Sequence, residues 1–192
     1  MLLPCLVLLI LPASVLASTL TLEVCTGCHG TDGMGRSDPM YPVIAGMPVG
    51  HIEEALFAYV DGARRCINEP RMCEAVSALS ESGVAEAAGY FAGQVRGPTH
   101  EEFDKELAAK GALLYQRHCA ACHLPPHDED VASAIGIPLH GQRSDYIRFA
   151  IEAYVGGDRE ALLEAMAHEL RQLEASDLDA LVNYFSSYRW AE

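Results

Sequence analysis

The pentapeptide Cys-x-x-Cys-His occurs twice in this 192-residue chain and constrains its fold more than any other feature. The two copies occupy residues 25–29 and 119–123, an offset of 94 residues. Two further pairs of segments repeat at an offset of 94 or 95 residues: Ala58–Gly62 with Ala153–Gly157, and Tyr90-Phe91 with Tyr184-Phe185. Three separate anchors at nearly one spacing indicate a duplicated domain.

The duplication predicts two domains, which we call the N-half (residues 18–94) and the C-half (residues 104–192), joined by a linker over residues 95–103. The linker contains Gly97-Pro98, a pair that interrupts regular structure. Each half is small for a self-sufficient hydrophobic core. Domains near this size commonly depend on a disulfide, a metal or another bound group.

Apolar residues recur every three or four positions in both halves, and the alternation typical of strands is absent. The clearest run leads into the second pentapeptide: Phe103, Leu107, Leu114 and Tyr115. The pattern predicts an all-α fold. Ser80 predicts the start of the last helix of the N-half, and Ser176 followed by Asp177 predicts the start of the last helix of the C-half.

The pentapeptide is typical of c-type haem attachment. Two thiols three residues apart, Cys25 with Cys28 and Cys119 with Cys122, can each add across a vinyl group of one haem. The next residue, His29 or His123, then lies where its imidazole can bind the iron. A zinc site would favour two cysteine pairs about 15–20 residues apart, and a redox dithiol has no use for the histidine. We therefore predict two covalently bound haem c groups.

A methionine in each half is the predicted second axial ligand of the iron. The C-half contains a single methionine, Met166, and its counterpart 94 residues earlier is Met72. The alternative is that both are ordinary core residues. Six other side chains of types that can bind haem iron lack a matching partner at the repeat offset: Met34, Met40, Met47, His51, His140 and His168.

Seven cysteines leave three beyond the two haem motifs. Cys5 lies in an apolar leader, residues 1–17, that predicts a signal peptide cleaved after Ala17 and a periplasmic product; the alternative is an uncleaved anchor. Cys66 and Cys73 flank Met72 and are candidates for a disulfide, because Pro70 breaks a continuous helix between them; the alternative is two buried free thiols.

The formal charge of −14 excludes nucleic acid as the main partner, because such binding needs clustered basic residues. Beyond the leader, no stretch is long and apolar enough for stable membrane insertion. An acidic surface suits docking to a basic redox partner.

With these motifs in place, the chain resembles the dihaem class I cytochromes c, and most closely the cytochrome subunit of flavocytochrome c sulfide dehydrogenase. The stretches that carry the resemblance are residues 25–33, 72–91 and 166–181, with 19 residues from each methionine to the closing phenylalanine. The resemblance implies two tandem class I cytochrome c domains that accept single electrons from a sulfide-oxidising flavoprotein subunit. The alternatives are a free-standing dihaem shuttle that delivers electrons to an oxidase or reductase, and a dihaem peroxidase.

Overall fold

The computed structural model describes residues 22–77, 79–161 and 163–189 of the chain. The predicted signal peptide, residues 1–17, lies outside the described residues. Among the described residues, no helix is both long and apolar enough to cross a membrane.

Helices account for the regular structure of the described part of the chain, which confirms the all-α prediction. Residues 22–29 are helical and are called α1. The remaining helices of the N-half are α2 (Val49–Val60), α3 (Arg71–Val76) and α4 (Glu81–Ala92). Those of the C-half are α5 (Lys105–His118), a short 3-10 turn (Val131–Ser133), α6 (Ser144–Gly156), α7 (Glu164–Leu170) and α8 (Ala175–Ser186).

Side-chain caps explain where several helices begin. The Ser80 hydroxyl accepts a hydrogen bond from Gly83 N at 3.2 Å, as predicted for α4. The prediction for α8 was wrong by two residues: the cap is Glu174, not Ser176. Glu174 and Asp177 form a reciprocal capping box, in which two carboxylates satisfy two backbone donors where a lone serine hydroxyl satisfies one.

Each half encloses its own apolar core, with the repeated phenylalanine at its centre. Phe91 and Phe185 are both fully buried. Each carbonyl also accepts a bond from an equivalent glycine: Gly46 N lies 2.9 Å from Phe91 O, and Gly141 N lies 2.8 Å from Phe185 O. The duplication seen in the sequence is therefore a duplication of hydrogen bonds as well.

In the C-half, α5 packs directly against α8. Gly111 makes this approach possible, because a Cβ atom at this position would overlap the Ala180 carbonyl and lie 2.7 Å from Tyr184 Cβ. The contact places the end of α5, which leads directly into the second pentapeptide, against the aromatic core of the C-half.

The two halves meet along a short antiparallel contact between equivalent segments. Arg64 and Arg159, which are 95 residues apart, form an isolated β-bridge. It is flanked by bonds from Arg65 N to Asp158 O at 2.7 Å and from Glu160 N to Ala63 O at 2.8 Å. Because equivalent segments pair with each other, this contact has approximate two-fold character.

Candidate functional site

The first pentapeptide closes α1, and its reactive side chains face a large pocket. The pocket encloses about 1230 Å³ of empty space, part of which is open to solvent. Cys25, Cys28, His29 and Met72, the four residues predicted to hold one haem, all line it. Apolar side chains make up most of the remaining lining, among them Ile44, Ile52 and Leu56, so the pocket suits an apolar ring system.

His29 is held as a neutral imidazole with one nitrogen available for a metal. The residue is 6% exposed, and its Nδ1 lies 3.2 Å from the Pro42 carbonyl oxygen. Because a carbonyl can only accept, Nδ1 carries the hydrogen and Nε2 keeps its lone pair. Burial lowers the pKa of His29, and this effect outweighs the opposing influence of the bond to Pro42.

His123 repeats this arrangement in the C-half. Its Nδ1 lies 2.8 Å from the Ile137 carbonyl oxygen, and burial is the main cause that lowers its pKa. Ile137 stands 95 residues after Pro42, so the same backbone position orients both histidines. The loop fits tightly, since a Cβ atom at Gly136 would lie 2.5 Å from His123 Nδ1.

The thiols of both pentapeptides are unpaired. Cys25, Cys28, Cys119 and Cys122 are free cysteines, each partly buried. Burial raises the pKa of Cys119 to about 11, so this thiol is neutral near pH 7. Among the described residues, no group of three or more His, Cys, Asp or Glu side chains is arranged to hold a metal ion by itself.

The Cys66–Cys73 disulfide is present, which confirms the predicted pairing. The two Cα atoms lie 6.1 Å apart, because α3 begins only at Arg71 and the preceding residues form an irregular loop. Met72 lies directly before Cys73 in the first turn of α3. The disulfide therefore restrains the segment that brings Met72 to the pocket.

The pocket also contains methionines that the repeat does not select. Met40 and Met47 line it together with Met72, whereas Met34 lies in a separate buried cluster with Val43 and Ala45. In the C-half, Met166 is partly buried in α7, the helix equivalent to α3. Only Met72 has a methionine at the equivalent position, and this single repeated pair remains our prediction for the axial sulfur.

Of the three histidines without a partner at the repeat offset, His51 and His140 are buried and make hydrogen bonds. His51 is 7% exposed and lines the pocket, but its Nε2 lies 2.9 Å from Ala134 O of the C-half. His168 is exposed on α7. His140 lies among aromatic rings of the C-half core: its Nε2 is 3.2 Å from the Tyr184 hydroxyl, and its ring centroid is 4.7 Å from that of Tyr115.

Burial gives His140 an unusual protonation behaviour. The residue is 3% exposed, and burial, reinforced by the charge of Arg96, lowers its pKa to about 4. A histidine in an unfolded chain titrates near pH 6.5, so between these values the unfolded state binds a proton that the native state does not.

We expect this difference to destabilise the protein in acid. The contribution of His140 to the free energy of unfolding is complete above about pH 6.5 and falls, by at most about 3 kcal/mol, as the pH drops to about 4. Denaturant unfolding of the unmodified protein and of His140→Phe across this range measures the effect. The phenylalanine variant should lose that part of the pH dependence, and identical pH profiles for the two proteins would contradict the prediction.

Sequence reasoning missed the part of the pocket wall that the C-half contributes. Ile137, Gln142, Tyr146, Phe149 and Arg159 all line the pocket of the N-half. The sequence does show that Arg64 and Arg159 occupy equivalent positions, because they are 95 residues apart, as are Tyr59 and Tyr154. Nothing in the sequence showed that these segments face each other.

Arg159 is the most unusual of these residues. It is 5% exposed, and among the described residues its guanidinium forms no ion pair with a carboxylate. It donates to the hydroxyls of Tyr59 at 3.1 Å and Tyr146 at 3.4 Å. Burial by itself would raise the pKa of Tyr146, but the charges of Arg159 and Arg64 reverse this and lower it. This wall of the pocket thus carries excess positive charge and favours an anion.

Over the described residues, fold and site together are those of a helical protein with two tandem class I cytochrome c domains. Comparison with known proteins agrees. The family model described as cytochrome C oxidase, cbb3-type, subunit III matches residues 106–185. A thiosulfate dehydrogenase electron acceptor of Thiomonas intermedia (strain K12) is 30% identical over 162 residues, which cover 77% of this chain and 70% of the relative.

Two solved structures share the fold. Reduced recombinant cytochrome c4 from Pseudomonas stutzeri superposes with a TM-score of 0.72 at 23% identity, covering 88% of this chain and 96% of that one. A thiosulfate dehydrogenase from Marichromatium purpuratum gives a TM-score of 0.67 at 25% identity, covering 85% of this chain and 36% of that one. The chain belongs to the cytochrome c family, as a dihaem electron-transfer protein with two covalently bound haem c groups.

Proposed function

We propose that this chain is an exported electron carrier that accepts single electrons from a thiosulfate-oxidising dehydrogenase and passes them between its two haem groups to a further acceptor. The observation that carries the proposal is the shared pocket wall, because a site built from both halves keeps the two haem sites close together. The relatives support the choice of donor, since two of them are described as thiosulfate dehydrogenase electron acceptors. Export rests on the apolar leader, residues 1–17, which predicts a periplasmic location.

The donor set of each half fits one haem. Four thiols would form the thioether bonds, two histidines would bind the irons through Nε2, and two methionines would supply sulfur on the opposite side: Cys25, Cys28, His29 and Met72 in the N-half, and Cys119, Cys122, His123 and Met166 in the C-half. Haem iron exchanges one electron at a time, and a thioether ligand raises its potential.

The protein's own residues keep water from the site and orient the ligands. Ile44, Ile52 and Leu56 line the pocket with apolar side chains, which lowers the local dielectric. Equivalent backbone carbonyls hold His29 and His123 in one tautomer, so neither imidazole has to reorient when an electron arrives.

Arg159 would supply a counter-charge for the acidic side chains of a bound haem. A buried guanidinium without a protein carboxylate is costly unless a bound anion compensates for it. Arg64 lies beside it at the bridge, with its guanidinium 5.3 Å from the Tyr59 ring centroid. We infer that this pair of arginines holds haem carboxylates at the junction between the halves.

Replacing Arg159 with glutamine should leave haem attached but lower the midpoint potential of at least one haem, since the lost positive charge no longer stabilises the reduced iron. Loss of one member of a buried ion pair also predicts a loss of about 3–5 kcal/mol in unfolding free energy. Potentiometric titration and denaturant unfolding measure both quantities. Arg65→Gln is the matched control, because Arg65 is exposed. Unchanged potentials in Arg159→Gln would show that no haem carboxylate pairs with it.

A second candidate donor is the sulfide-oxidising flavoprotein, the partner implied by the sequence resemblance. The specific observation in its favour is the span of 19 residues from Met72 to Phe91 and from Met166 to Phe185. In either case the acidic chain would dock to a complementary basic surface, and the reaction should slow as salt screens the charges.

Stopped-flow reduction of the oxidised cytochrome distinguishes the donors. One arm contains a thiosulfate dehydrogenase with thiosulfate, another a flavoprotein sulfide dehydrogenase with sulfide, and the controls omit each enzyme. Fast reduction of both haems in the thiosulfate arm, slowed by salt, supports the main proposal. Reduction only in the sulfide arm favours the second candidate. If neither enzyme speeds reduction, both proposed donors are wrong and the alternative is the free-standing shuttle.

A further inference from the structure

Gln142 connects the C-half to the backbone of the N-half through a pair of buried hydrogen bonds. The residue is 2% exposed and lies just before α6. Its Oε1 accepts from Val43 N at 2.7 Å, and its Nε2 donates to Val43 O at 2.9 Å. Oε1 also accepts from Arg143 N at 2.9 Å. Because two N–H donors point at one end of the amide and a carbonyl at the other, the orientation of the amide is determined by its partners.

The backbone group that Gln142 binds is the one that orients His29. The carbonyl of Pro42 and the N–H of Val43 belong to one planar peptide unit. That carbonyl accepts from His29 Nδ1 at 3.2 Å, while the N–H donates to Gln142. A continuous chain of hydrogen bonds therefore runs from His29 of the N-half through one peptide group to Gln142 of the C-half.

Hydrogen bonds connected in series polarise the groups that they join. A peptide whose N–H is donated becomes a better acceptor at its carbonyl, and an imidazole that donates to a stronger acceptor becomes a more basic metal ligand. A more basic ligand favours ferric over ferrous iron and so lowers the potential.

In the C-half, the equivalent series of hydrogen bonds ends after its first bond. His123 donates to the Ile137 carbonyl, but the next residue is Pro138, which has no N–H. The peptide that orients His123 therefore cannot be polarised by a donated bond, although the two histidines otherwise occupy equivalent positions. This difference concerns a single position of the repeat, Val43 against Pro138.

We propose that Gln142, a residue of the C-half, is a positioning residue that lowers the potential of the iron in the N-half. In the C-half, Pro138 has no N–H, so the equivalent hydrogen bond cannot form and the potential of that iron is not lowered in this way. The inference rests on the proposed role of His29 as an axial ligand. The contact between the two halves at Gln142 would therefore lower the potential of the N-half haem without changing that of the C-half haem. This difference favours electron transfer from the N-half haem to the C-half haem.

The test uses the full-length cytochrome with both haems attached and compares Gln142→Leu with the unmodified protein. The leucine variant removes the acceptor for Val43 N–H. We expect one of the two midpoint potentials to rise and the other to stay unchanged. In nitrogen-15 NMR spectra of the reduced protein, the His29 Nδ1 proton should shift upfield, while that of His123 should not move.

Two further variants complete the experiment. Gln142→Met removes the acceptor with a side chain of nearly the same length, so the His29 proton should again shift upfield; this variant serves if the leucine variant does not fold. Asn68→Ala removes another bond between the halves, from Asn68 Nδ2 to Asp158 Oδ2 at 3.1 Å, and should move neither proton.

The outcomes separate this inference from the function it rests on. Ring protons of His29 in the unmodified reduced protein should show the large shifts of an iron-bound imidazole; their absence would overturn the ligand assignment and the inference together. If His29 is bound but neither Gln142 variant moves its Nδ1 proton, the role of Gln142 alone is wrong. Equal movement of both histidine protons would also overturn it, because it would indicate a general loosening of the interface.

Discussion

Replacing Met72 with alanine is expected to remove the sulfur-to-iron absorption band of one haem, about half of the total intensity, and to lower the potential of that haem. Loss of a thioether ligand withdraws the group that stabilises ferrous iron. Both haems should stay covalently attached, because the thioether bonds do not involve Met72. Absorption spectroscopy of the oxidised protein and a redox titration measure the two effects.

The pocket offers matched controls, since Met40 and Met47 also line it. Met47 belongs to the buried core of the N-half, so Met47→Ala should cost about 2–5 kcal/mol of unfolding free energy and leave the absorption band intact. Met40→Ala should also leave the band intact. Met166→Ala should repeat the effect of Met72→Ala on the other haem. Survival of the full band in Met72→Ala, or its loss in a control, would contradict the assignment.

The second large effect is expected from removing both thiols of one pentapeptide. In Cys119→Ala/Cys122→Ala the C-half has no covalent link to haem, and mass spectrometry should show a loss equal to one haem. Because a domain of this size depends on its bound group, cooperative unfolding of the C-half should be lost as well. Circular dichroism should then show that part of the helix content melts separately or is absent.

The N-half supplies the comparison for this experiment. Cys25→Ala/Cys28→Ala should lose the other haem, whereas Cys66→Ala/Cys73→Ala should keep both, because that pair forms the disulfide. Two full haems still attached in either pentapeptide variant would be incompatible with thioether attachment at these cysteines. Zinc bound in place of haem would support the alternative site.

Much of the site could be predicted because it is local. Cys25, Cys28 and His29 lie on one turn of chain, so their spacing alone predicts their common target. The Cys66–Cys73 disulfide was also predictable, because Pro70 lies between the two cysteines and prevents a continuous helix. The start of α8 was less predictable, since Glu174 and Ser176 both carry side chains able to cap a helix. Glu174 is the cap because Asp177 lies three residues after it and completes the capping box.

The contacts between the halves were not predictable in the same way. Gln142 and Val43 are 99 residues apart, and neither belongs to a recognisable motif. From the sequence alone, Arg159 would be expected on the surface, yet it is buried and donates a hydrogen bond to Tyr59 of the other half. Such pairings depend on how two folded domains dock, and the docking is decided by shape and hydrogen bonding summed over the whole interface.

By itself, the sequence determined the duplication, the helical class and the two covalent attachment motifs, because each of these depends on spacing along the chain. It also singled out Met72 and Met166 through the repeat. Only the tertiary structure decided that the N-half pocket has a wall from the C-half, that Arg159 lies in it, and that the peptide behind His29 reaches Gln142. The physical reason is that equivalent positions of a repeat make different contacts once its two copies pack against each other: the Val43 N–H meets Gln142 only because the two halves dock.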